Sequence, residues 1–123
     1  MSDKQASETI EEARRQLECL ARNPRKRVTE SSRQRPTRWT PNDVVDPETG
    51  MRFTDAGAWF LVAERLKSGE PLERIALRKP EGSHAYVMQF RLRSDHEPLY
   101  IKLEQSLGKV IGRSFHYSEH SDV

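Results

Sequence analysis

Five side chains near the end of the chain are of the types that phosphate chemistry uses: Tyr100, Lys102, Arg113, Ser114 and His116. Cleaving RNA without a metal requires a base for the 2′-hydroxyl proton and an acid for the leaving oxygen. It also needs cations for the charge that develops on phosphorus. Histidine side chains in general titrate near neutrality and suit either proton-transfer role, which makes His116 the candidate acid or base. Lys102 and Arg113 are the candidate phosphate stabilisers, and Tyr86, Tyr100 or Tyr117 is the candidate to orient a base or share proton transfer. Ser114 and His116 are not a nucleophile pair, because strand neighbours two apart share a face but sit about 7 Å apart. The competing reading of His116 is a plain residue at a strand end. His84 and His96, at a strand start and a turn, and His120 in the tail read as incidental.

These residues need a sheet to position them. In the stretch HAYVMQFRLR, Tyr86, Met88, Phe90 and Leu92 fall on one face and Gln89, Arg91 and Arg93 on the other. The next run sets Leu99, Ile101 and Leu103 against Tyr100, Lys102 and Glu104, and this period-2 alternation marks half-buried strands. In the third run, KVIGRSFHY, Gly112 breaks the alternation and marks a bulge or a close approach of another backbone. Upstream, PLERIALRKP reads as a strand with Ile75 and Leu77 inward and Arg74, Ala76 and Arg78 outward. Thr54 or Asp55 caps a helix from about Ala56 to Lys67 that Gly69 stops; Trp59, Val62, Ala63 and Leu66 form its inner face and Phe60 flanks it. The expected fold is therefore α+β, one helix packed on a four-stranded antiparallel meander.

On that arrangement Arg74, Arg78, Arg91, Arg93 and Lys102 all project from the face opposite the helix, with Tyr100 and Gln89 among them. Cations interleaved with an aromatic ring suit a nucleic-acid strand, charge for the phosphates and a ring for a base. Arg74, Arg78, Arg91, Arg93 and Ser114 are thus the expected substrate-binding residues. A solvated sheet face rich in arginine is the alternative.

Before this domain lie two further segments. Residues 1–23 carry an amphipathic helix, from about Ser7 to Arg22, with Ser7 as cap and Ile10, Ala13, Leu17 and Leu20 in one narrow apolar stripe. So short a helix must dock on the domain, on a second copy as a homodimer, or on a partner. Residues 24–50 read as a flexible basic arm and turn region. From Arg22 to Arg38 there are seven basic residues against the single acid Glu30, a run that suits a polyanion or an acidic partner. Trp39 is expected to anchor the arm to the domain, with base stacking as the alternative. Residues 51–118 form the domain and 119–123 a tail.

Charged residues make up 33% of the 123 and apolar ones 34%, so the apolar area must concentrate in the second half to form a core. The single cysteine, Cys19, excludes an intramolecular disulfide and reads as a small packing residue. No apolar run approaches the roughly 20 residues of a membrane span, and the first residues lack a secretory layout, so a cytoplasmic location is expected. No spacing of His, Cys, Asp or Glu suggests a metal, and neither a Walker loop nor a GxSxG or HExxH motif occurs; no cofactor is expected.

The order of helix and strands, with LYIKLEQ followed by KVIGRSFHYSE, resembles the small ribonuclease toxins of bacterial toxin–antitoxin modules that share the RelE, barnase and colicin-type nuclease fold. The ending is similar to that of the MqsR family, in which a Tyr-X-Lys strand precedes a final strand ending in Ser-Phe and a basic residue. The resemblance implies RNA cleavage without metal and neutralisation by a cognate antitoxin, with Tyr100, Lys102, Arg113, Ser114 and His116 at the matching positions. About 50 additional residues precede the matching part. The competing expectation is a non-catalytic module that binds nucleic acid or a protein through the arm and sheet face.

Overall fold

The computed structural model describes residues 9–118; the expected Ser7 cap and His120 lie outside them. Helix α1 spans Ile10–Ala21, and Thr9 caps it, accepting from Glu12 N at 3.0 Å while Glu12 reaches back to Thr9 N at 3.0 Å. This reciprocal pair satisfies two backbone donors at the helix start. The apolar stripe is used within the chain: Ala13, Leu17 and Ala21 are buried in the core against the second helix and the sheet. Fully burying one leucine contributes about 1.5–3 kcal/mol. Of the three expected dockings, on the domain, on a second copy or on a partner, the structure shows the first. Cys19 points away from the core and is exposed, contrary to its expected packing role.

Helix α2, Asp55–Lys67, starts at Thr54, whose hydroxyl accepts from Gly57 N at 2.9 Å. Trp59, Val62, Ala63 and Leu66 are buried, as their spacing predicts. Two arginines finish the helices. Arg14 donates to the carbonyls of Leu66 and Glu70 at the end of α2, and Arg27 donates to that of Ala21 at the end of α1, filling acceptors a helix C-terminus leaves open. Among the described residues no helix is long and apolar enough to cross a membrane.

The sheet is mixed. Strands β3 (Glu73–Ala76), β4 (His84–Arg91), β5 (Pro98–Ser106) and β6 (Lys109–Tyr117) run antiparallel in sequence order. Two short strands, β1 (Arg27–Val28) and β2 (Arg38–Trp39), then extend the sheet by pairing in parallel with β6. The fold is α+β as expected, but the wholly antiparallel four-stranded sheet is not what forms. The segment expected to be a flexible arm is instead built into the sheet edge. Its side chains carry no periodicity because only its backbone pairs, two residues at a time.

Trp39 fixes this edge. Its ring stacks on Trp59 with centroids 4.6 Å apart and meets Phe115 at 5.2 Å, while Nε1 donates to Asp55 at 2.9 Å. The indole lies directly over Gly112, where a Cβ would come within 2.5 Å of it. The glycine in the last strand thus marks a close approach, and the next residue, Arg113, is the extra one of a bulge between Lys102 and Leu103 of the partner strand.

Candidate active site

Cross-strand pairing sorts the face away from the helices. Tyr100 pairs with His116 and Lys102 with Ser114, while Gln89 and Val87 of β4 continue these two rows. Paired residues share a face, so Tyr100, Lys102, Ser114 and His116 form one two-by-two patch. The parallel pairing of β2 adds Arg38 beside Ser114. Sequence reasoning counted Arg38 in the basic run but did not place it at this site, because a two-residue parallel pairing across 76 positions leaves no local signal.

The His116 ring stacks on Tyr100 with centroids 5.5 Å apart and an interplanar angle of 29°. Its Nδ1 lies 2.8 Å from the Tyr117 carbonyl oxygen. A carbonyl only accepts, so Nδ1 carries the hydrogen and the neutral ring presents Nε2 as an acceptor. Lys102 is half-buried; burial, and secondly the charge of Arg113, hold its ammonium below the usual lysine range. Burial, and secondly the Glu73 carboxylate, push the Tyr100 hydroxyl above the usual phenol range, so it stays protonated and can donate. Gln89 donates to Ser118 Oγ at 3.0 Å and borders the patch.

Arg113 does something other than expected. It is 4% exposed and donates to Glu104 at 2.7 Å, to the Pro36 carbonyl at 3.0 Å and to the Lys79 carbonyl at 2.9 Å. Glu104, itself buried, also accepts from Arg35 at 3.1 and 3.3 Å. Arg113 therefore ties the 29–37 and 77–83 segments to the sheet and is a positioning residue.

The other expected cations scatter. Arg74 pairs with Tyr86, a core residue, and so lies on the helix side; Ile75 pairs with Ala85 on the opposite face. Strand β3 thus runs with the reverse of its expected facing, because Leu77 lies beyond its last residue and could not set its phase. Arg91 donates to the His96 carbonyl, and Arg93 lies past β4, in a turn, paired with Asp95 at 2.9 Å. Arg78 is exposed just after β3 and lines the same hollow as Lys102. Tyr86 is buried in the core, and the Tyr117 hydroxyl accepts from Val45 N at 3.2 Å, so of the three tyrosines only Tyr100 faces the site.

Among the described residues no three or more His, Cys, Asp or Glu side chains are grouped to hold a metal ion. Comparison with family models, with curated proteins and with solved structures returned no match.

Proposed function

We propose that this protein is a metal-independent endoribonuclease in which His116 and Lys102 carry the proton transfers. His116 Nε2 takes the 2′-hydroxyl proton, the freed oxygen attacks phosphorus, and the bond from phosphorus to the 5′-oxygen breaks. That oxygen leaves with a proton from the Lys102 ammonium. The products are a 2′,3′-cyclic phosphate and a 5′-hydroxyl; the proton on His116 returns to solvent and solvent reprotonates the Lys102 amine. An ammonium held below the lysine range is the better acid for this step. Tyr100 acts as a positioning residue whose ring holds the imidazole plane.

The observation that supports this most is the bond from His116 Nδ1 to the Tyr117 carbonyl, which leaves Nε2 as the acceptor one strand row from Lys102. In the cell, the reading makes the protein a growth-arresting toxin restrained by a cognate antitoxin, the partner implied by the resemblance at LYIKLEQ and KVIGRSFHYSE. Induced expression in a bacterium tests it. Wild type should stop growth and fragment RNA, and His116→Ala at equal protein level should do neither.

The second reading, a non-catalytic nucleic-acid or partner-binding module, draws on the use of Arg113 within the fold. It predicts normal growth and intact RNA with both proteins, and an affinity for RNA that falls with each cation removed from the edge or sheet face.

A further inference from the structure

Between β3 and the 29–37 segment lies a cavity of about 450 Å³. Its wall carries four cationic side chains, Arg78, Lys79, Lys102 and Arg113, with Ile75 and Pro36 among its apolar parts and no acid. The size falls within the ~300–1,000 Å³ of small-molecule sites. Behind this wall Glu104 is shared by Arg113 and Arg35, so two positive charges meet one negative charge there. The walls are held in place: Arg113 binds the carbonyls of Pro36 on one side and Lys79 on the other. An excess of cations around a partly apolar hollow calls for an anion with an organic body.

We propose that this cavity binds the phosphate of a nucleotide, with the phosphate on Arg78, Lys79 and Lys102 and the sugar or base against the apolar wall. Arginine and lysine together favour phosphate over a single carboxylate, since phosphate offers more acceptor oxygens and more charge. Lys102 belongs both to this cavity and to the patch with His116. The cavity therefore sits beside the reacting bond of the proposed ribonuclease, and the inference rests on that reading for its RNA source alone. The phosphate belongs either to RNA next to the scissile bond or to a free mononucleotide.

Titration of the full chain, followed by amide chemical shifts and calorimetry, separates these. The probes are inorganic phosphate, adenosine monophosphate, adenosine, and a short 2′-deoxy oligonucleotide that cannot be cleaved. Phosphate and the mononucleotide should shift the amides of residues 78–79 and 102, and adenosine should not. Arg78→Gln with Lys79→Gln should weaken binding roughly tenfold or more, the loss expected for charge-assisted hydrogen bonds. Both side chains lie at the surface of a turn, so the variant keeps its fold. Tighter binding of the oligonucleotide than of the mononucleotide assigns the phosphate to RNA, and the reverse assigns it to a free nucleotide. No response to phosphate or the mononucleotide, or equal binding by the double variant, overturns the proposal. Phosphate binding with no RNA cleavage by wild type would refute the ribonuclease reading and leave this site standing, whereas intact phosphate binding by an inactive His116→Ala would support both.

Discussion

At the scale of single residues, charge placement decides which cations can act. Arg113 is buried with its donors committed to Glu104 and two carbonyls, so removing it leaves Glu104 buried with only the partly exposed Arg35. Breaking a buried pair in this way costs about 3–5 kcal/mol. Arg113→Ala should therefore lower the melting temperature by roughly 10–20 °C for a chain of this size, read by thermal denaturation. A shift of a degree or two would contradict its role as a pin. Lys102 makes the opposite case. Its pKa is lowered in the folded state, so between that value and the ordinary 10.5 the unfolded chain binds more protons, and this group makes stability rise with pH. Tyr100, raised above 10.0, contributes stability in full below that value and loses it as pH climbs past the raised one. Denaturant unfolding of Lys102→Met at a series of pH values should lose the rise that wild type shows below 10.5 and match or exceed wild type at neutral pH. An unchanged slope would mean that Lys102 is not desolvated.

Among the elements, β6 carries the most information per residue. Gly112 admits the Trp39 ring, Arg113 forms the bulge, and the register beyond it sets Ser114 beside Lys102 and His116 beside Tyr100. Gly112→Ala drives a Cβ against the ring and should cost about 1–3 kcal/mol as an overpacked site. Combined with Trp39→Leu, which shortens that ring to a branched chain, the extra cost of the alanine should largely vanish; additive losses in a double-mutant cycle would show that the contact is not the cause. Much of this was legible. The alternation in β4 and β5 set their faces, the breakdown of alternation at Gly112 marked the bulge though not the Trp39 ring that fills the space, and the Trp59 stripe marked the inner face of α2. The facing of β3 was not legible, since four residues containing Arg74, Ile75 and Ala76 hold too few alternations to fix a phase, and Leu77 suggested the wrong one. Nor were β1 and β2, whose only reason to be strands is a distant backbone edge.

At the scale of the molecule, the first half of the chain completes the second. Helix α1 closes the core through Leu17, Trp39 fastens the edge, and the segment between β1 and β2 supplies Pro36 to the wall of the cationic cavity and Arg35 to the Glu104 carboxylate behind it. The first helix and the edge strands pack around β6, and Lys102 belongs to both the patch and the cavity. The most direct measurement is incubation of the purified full chain with RNA in excess chelator, with the ends of the fragments identified. The account predicts fragments ending in 2′,3′-cyclic phosphate and 5′-hydroxyl from wild type, and none from His116→Ala or Lys102→Ala at unchanged melting temperature. Intact RNA with wild type, or equal cleavage by His116→Ala, would contradict it.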